Sequence, residues 1–306
     1  MKNIVQTNTQ YSYNSMKNDI NIFKKLYPFL KFGSIGKSVL GKEIQYIKIG
    51  TGKKQLCYNA SIHANEWITS ILLMKFVEDF SNSYITNINL YGYNVKEIYN
   101  EVSIYVIPML NPDGVDLVTN NITDKNILFK TKYISNNYPY IPYPNGWKAN
   151  IEGIDLNLQF PAGFNIAKKI KYAKGYTSPA PKNFVGFDKL TAIESVNLYN
   201  FTLSHNFEIV LNYHSQGEVI YYKYLNYTPK NSFLIAKTFS KLSGYKLENV
   251  PFESSFAGYK DWFISQYNRP GFTIEVGMGE NPLPLVQFNK IYKDNLPILL
   301  ISTKLV

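Results

Sequence analysis

The chain has 306 residues, 45% hydrophobic and 16% aromatic, with 26 Tyr and 19 Phe. That composition excludes a disordered polymer and allows one large α/β core or two small ones. Its net charge is +10, from 32 basic and 22 acidic residues, but the lysines are scattered without a nucleic-acid-binding motif, so we expect a solvated basic surface and no nucleic-acid partner.

Taken in chain order, residues 1–26 read as a lead-in. Residues 43–49 (EIQYIKI) alternate as a half-buried strand, and 55–60 (QLCYNA) and 104–109 (IYVIPM) are short β-rich runs. Between them, 68–80 (ITSILLMKFVEDF) places Leu72, Phe76 and Phe80 on one helical face. Residues 118–150 and 161–190 read as long loops, rich in Asn, Tyr and Pro or in Gly, Pro and Lys, that could wall a groove. Thr191 and Glu194 are spaced as a capping box for a helix running towards His205. Residues 208–213 (EIVLNY) and 271–276 (GFTIEV) read as buried strands, and Ser232–Leu242 as a helix ended by Gly244. The alternation predicts a single α/β domain over 1–306, a mixed, mostly parallel twisted sheet with helices on both faces. No apolar run reaches the roughly 20 residues of a membrane span. The opening MKNIVQTNTQ lacks the apolar stretch of a secretory signal, and the single Cys57 allows no internal disulfide. We therefore expect a cytoplasmic protein without membrane contact.

The chemistry-bearing residues stand where strands end. In SIHANEW (61–67), His63 and Glu66 are three residues apart at a helix entrance, so one turn can aim both at one point. Zinc accepts imidazole nitrogen and carboxylate oxygen, and a catalytic site uses three protein ligands with one open position. A third ligand must come from elsewhere, and His214, at the end of EIVLNY, offers one. The spacing alone equally fits a helix cap beside a surface histidine. His205, inside a predicted helix, reads only as a packed or surface side chain.

Five segments in a fixed order remove that ambiguity. SIHANEW, NPDG (111–114), GIDLN (153–157), YHSQG (213–217) and FTIEVG (272–277) make the chain resemble the zinc carboxypeptidases from about Tyr27 onward. The resemblance implies one zinc per chain held by His63, Glu66 and His214. It implies that Glu275 takes a proton from the water attacking the peptide bond and passes it to the leaving amine. It also implies that Lys148, in WKAN, stands where the family has an oxyanion-stabilising Arg, keeping the charge without the fork geometry. Asn157 and Ser215 are implied as substrate contacts.

The departures from the family narrow the substrate. The family's terminal-carboxylate Arg is replaced by Leu158, which disfavours an ordinary C-terminal exopeptidase. The family's mobile Tyr falls near Glu253, with Tyr259 as a substitute. Lys260 aligns with a residue of the leaving-side pocket and would favour an acidic side chain. WKAN, DLNLQFPAGF, HSQGEVIYY and GYKDWF bring the chain nearest to the γ-D-glutamyl-meso-diaminopimelate endopeptidases of spore-forming bacteria. No cell-wall-binding LysM repeat is present, so the expected partner is a soluble peptidoglycan-derived peptide met in sporulation or wall recycling. Two alternatives stay open: a carboxypeptidase acting on ordinary peptides, and an inactive zinc-containing module that recognises peptidoglycan.

Overall fold

A computed structural model describes residues 3–305. Eight strands form one sheet: β1 (Lys31–Lys37), β2 (Glu43–Ile49), β3 (Lys54–Ala60), β4 (Val102–Ile107), β5 (Phe207–His214), β6 (Val219–Tyr221), β7 (Lys246–Leu247) and β8 (Gly271–Glu275). Their order is β1-β2-β4-β3-β5-β8-β6-β7. The four central strands β4, β3, β5 and β8 run parallel, and β1, β2 and β6 add antiparallel pairings. This is the mixed, mostly parallel sheet that the apolar pattern predicts.

The central strands are continuous apolar runs because both of their faces are covered. Leu56, Tyr58 and Ala60 of β3 enter one core cluster, while Cys57 between them enters the other. Helices Tyr13–Leu26, Ile68–Thr86, Ser232–Ser243 and Phe288–Ile301 supply the first cluster, for example through Phe23, Phe76, Phe239 and Leu299. Helices Phe164–Ala173, Ile193–Leu203 and Tyr259–Tyr267 supply the second, through Phe164, Leu198 and Trp262. Each fully buried side chain of this size contributes roughly 1.5–3 kcal/mol. The interior is therefore committed to this sheet.

Several local expectations are corrected. The lead-in is a packed helix: Ser12 caps it, and Met16, Ile20 and Phe23 are buried. The two long loops contain helices Lys125–Asn136 and Phe164–Ala173. The capping box does not form. Thr191 N–H and Ala192 N–H instead donate to Gln159 Oε1 at 2.7 and 2.9 Å. Glu194 is buried and accepts from Asn150 Nδ2 at 3.1 Å and Val39 N at 3.3 Å. Gly244 ends its helix in the left-handed region, as expected.

Candidate metal centre and active-site cavity

Parallel packing brings the carboxyl ends of β3, β5 and β8 to one edge of the sheet, where open α/β sheets place their ligands. His63 follows β3 and opens the turn Ala64–Glu66. His214 is the last residue of β5, and its register partner on β8 is Glu275. The loop carrying His63 is fixed from below by Asn111. Its Nδ2 donates to Ile62 O at 3.3 Å and Ala149 O at 3.0 Å, and its Oδ1 caps the following turn at Gly114 N. A Cβ at Gly114 would stand 2.6 Å from Asn111 Oδ1 and 2.8 Å from Ala149 O, which explains the glycine of NPDG. Ala64 N–H donates to Lys148 O at 3.0 Å, so the same stitching holds Lys148 beside the histidine loop.

The three expected ligands converge. His63 Nδ1 and His214 Nδ1 are 3.2 Å apart, and each lies 3.0 Å from an oxygen of Glu66. All three side chains are buried, with ligand atoms within 4.8 Å of one another. Two ring nitrogens facing each other across a carboxylate suit a cation better than a hydrogen-bond chain, because both nitrogens would need lone pairs aimed at one point. Donors around a four-coordinate zinc, at bond lengths of about 2.0–2.2 Å, stand about 3.3 Å apart. The donor set therefore fits zinc.

Asp155 completes the arrangement, and the sequence reading missed it. Its Oδ1 lies 3.2 Å from His63 Nε2, the ring nitrogen facing away from Glu66. A carboxylate there fixes the tautomer that leaves Nδ1 free as a ligand. Asp155 also accepts from Asn157 N at 3.3 Å and Asn183 N at 3.1 Å. Burial opposes its charge, but His63 and Lys148 hold its carboxyl well below the usual range. Its signal in the sequence is the Asp of GIDLN, two residues before Asn157.

Lys148 Nζ lies 3.0 Å from Glu66 Oε1. Burial works against its ammonium, yet Glu66, Asp155 and Glu275 together raise its pKa. Glu275 has no hydrogen-bond or ion-pair partner for its carboxyl among the described residues. Burial, reinforced by the charge of Glu66 and opposed by Lys148 and His63, pushes its pKa up to about 8. A half-buried acid without a partner, beside a cation site, is poised to exchange a proton.

His63, His214, Asp155, Lys148 and Glu275 line a cavity of about 450 Å³ that also includes Asn157, Leu158, Lys171, Lys182, Tyr221, Lys260, Asp261 and Thr273. Leu158 occupies the wall as expected. Asn157 holds Tyr259 N–H with its Oδ1 at 3.0 Å, leaving its NH₂ without a partner among the described residues. Lys260 lines the cavity, but its ammonium donates to Lys223 O at 2.8 Å and pairs with Asp261.

Two expected substrate contacts lie elsewhere. The Tyr259 ring packs against Phe160 in the second core cluster and its hydroxyl meets that of Thr202 at 2.9 Å, because the first turn of its helix faces the core. Ser215 donates its hydroxyl to Asn281 at 2.7 Å and its N–H to Glu66 Oε2 at 3.3 Å, so it steadies a ligand. Glu253 is exposed and pairs with Lys174. The phenol on the cavity wall is Tyr221, which the sequence reading passed over. His205 packs its ring parallel to Phe207, away from the cavity.

The zinc carboxypeptidase family profile matches residues 16–298. Gamma-D-glutamyl-L-diamino acid endopeptidase 1 of Lysinibacillus sphaericus is 41% identical over 301 residues, 97% of this chain and 73% of that protein. The fold matches the crystal structure of thrombin activatable fibrinolysis inhibitor with a TM-score of 0.78 at 16% identity, covering 100% of this chain and 77% of that one. It also matches murein-tripeptide amidase MpaA from Escherichia coli O157 with a TM-score of 0.55 at 17% identity, covering 88% and 91%. No helix of the described residues is long and apolar enough to cross a membrane. The cofactor is zinc, the chain is a hydrolase, and it belongs to the zinc carboxypeptidase family.

Proposed function

We propose that this chain hydrolyses the bond between γ-D-glutamate and meso-diaminopimelate in peptidoglycan stem peptides. The observation that carries the substrate class is the 41% identity to an endopeptidase whose name states a γ-D-glutamyl-L-diamino acid specificity. The cavity supports it, since Leu158 stands on the wall where an arginine would grip the terminal carboxylate of an ordinary peptide.

In this reading His63, Glu66 and His214 hold the zinc, which when bound polarises the scissile carbonyl and lowers the pKa of water towards ~7. Asp155 keeps the proton of His63 on Nε2. Glu275 takes a proton from the attacking water and delivers it to the nitrogen of the departing diamino acid, so the C–N bond breaks with the amine leaving neutral. Lys148 offers its ammonium to the negative charge that grows on the carbonyl oxygen. Asn157 donates its free NH₂ to the substrate. The presence of Glu275, free and facing the cavity, speaks against an inactive recognition module.

The whole chain, 1–306, acts as one catalytic unit in this proposal. We place it in the cytosol, on soluble muropeptides of spore formation or wall recycling. The one cysteine, fully buried, supports that placement, and the net charge of +10 suits a substrate bearing several carboxylates. The test is digestion of purified stem peptides with products identified by mass spectrometry. Release of L-alanyl-γ-D-glutamate with a diaminopimelate-containing peptide is the expected result. Release of only the C-terminal residue would identify a carboxypeptidase instead.

A further inference from the structure

Four lysines line the cavity: Lys148, Lys171, Lys182 and Lys260. Lys148 is matched by Glu66 and Lys260 by Asp261. Lys171 and Lys182 have no ion pair and no hydrogen bond from the ammonium among the described residues. Lys171 is nonetheless 7% exposed. Burying an ammonium without an ion-pair partner costs free energy, which the charges of Asp155 and Glu253, beyond pairing distance, return only in part. That burial pulls its pKa below the ordinary lysine value. A cation held this way in a substrate cavity calls for an anion from outside.

The two lysines belong to one wall. Lys171 ends the buried stripe of helix Phe164–Ala173, after Phe164 and Ala167. Lys182 lies between Pro181, whose carbonyl accepts from Lys148 N at 2.7 Å, and Asn183, whose N–H donates to Asp155 at 3.1 Å. The strand of chain carrying Lys182 is thus tied to the supports of the metal centre on both sides. Tyr176 follows the helix and donates its N–H to Lys171 O at 3.1 Å. Burial opposes ionisation of its hydroxyl, yet hydrogen bonding to Tyr140 and Asn183 and the charges of Lys182 and Lys171 leave it below the usual tyrosine range.

We propose that Lys171 and Lys182 form the receptor for a carboxylate of the substrate, in place of the guanidinium that Leu158 does not provide. This rests on the reading of the cavity as a peptidase site and deepens it. Under the preferred substrate, three carboxylates could fill the receptor: the free α-carboxylate of γ-linked D-glutamate, the side-chain carboxylate of the diamino acid, or its own α-carboxylate where it ends the peptide. All present the same chemistry. Lys260, already satisfied, is less available for any of them.

The experiment measures binding to zinc-loaded Glu275→Gln protein by calorimetry, so that it does not depend on turnover. The probes are L-alanyl-γ-D-glutamyl-meso-diaminopimelate and its three forms amidated singly at the glutamyl α-carboxylate, at the diaminopimelate side chain and at the diaminopimelate C-terminus. Amidating the recognised carboxylate should weaken binding at least ~10-fold, and the penalty should vanish in Lys171→Met/Lys182→Met. Which amide carries the penalty identifies the source. The thermal midpoint of the lysine variant should stay level or rise, because an uncompensated buried charge has been removed. If wild type cleaves none of these peptides, the proposed bond specificity fails, and the receptor is then judged on an ordinary acetylated peptide with free or amidated C-terminus. An amidation penalty that survives undiminished in the double variant, or no penalty with any probe, overturns the receptor.

Discussion

His214 and Glu275 face each other in register at the carboxyl ends of two neighbouring parallel strands. One backbone relationship therefore sets the distance between a metal donor and the acid beside it. Precision of this kind comes from the sheet, not from loops, and it makes the site sensitive to side-chain chemistry while the scaffold stays firm.

The trio should act as a unit. His63→Ala or His214→Ala is expected to lose both zinc and peptidase activity, because two donors cannot hold the ion against water. Metal content by mass spectrometry checks this. Stoichiometric zinc in both variants would refute the ligand assignment.

Glu275→Gln separates holding the metal from moving the proton. The amide keeps the shape but accepts no proton, so zinc content should match wild type while kcat falls by at least ~10². Unimpaired turnover would move the role to another group.

Zinc uptake should release protons. In the metal-free site, burial lowers the His63 pKa but Glu66 and Asp155 raise it to about 9, and Glu275 is up to about 8. Both groups hold a proton at pH 7, and a bound cation disfavours it on each. We expect about 1–2 protons per zinc at pH 7, declining as pH rises through 8 and 9 and both groups are already deprotonated. Glu275→Gln should lower the count by about one. Calorimetry in buffers of different ionisation enthalpy gives the number, and a pH-independent zero would contradict the electrostatics described.

Asp155 predicts an affinity effect without a lost ligand. Asp155→Asn should weaken zinc binding by about 10–100-fold, since the amide can stabilise the wrong His63 tautomer. A chelator competition measures it, and unchanged affinity would show that His63 is oriented by other contacts.

Lys260 offers a test between two roles. Its ammonium, 4% exposed, is held by Asp261 and Lys223 O. Lys260→Glu sets two carboxylates together, so a loss of at least about 3–5 kcal/mol in urea unfolding is expected. Unaltered stability with a switch towards substrates containing lysine would instead make Lys260 the selector of the leaving side chain.

The metal-donor candidates and Glu275 were legible because five segments in a fixed order resemble the zinc carboxypeptidases; the spacing of His63 and Glu66, with only three histidines in the chain, left a helix cap open without that resemblance. Asp155 and the two lysines were harder to read, since their meaning depends on partners: His63 lies 92 positions from Asp155, and Lys171 matters for what it lacks. The failed capping box has the same origin. Thr191 and Glu194 have the right spacing, but Gln159, 32 positions away from Thr191, takes its N–H first. The helix at Lys125–Asn136 carried its own signal, Asp124 accepting from Asn126 N and Ile127 N, obscured by surrounding Asn and Tyr. Local rules succeed here until a distant side chain outcompetes them.

The two histidine donors are separated by 151 positions, and β5 must dock between β3 and β8 before they meet. A growing polypeptide therefore has a His-Glu pair early and no third donor until the second half has been made and paired. Zinc capture thus reports on strand pairing: a chain that stops short of His214, or in which β5 has not docked beside β3, lacks the third donor, and loading the metal stabilises only the paired sheet.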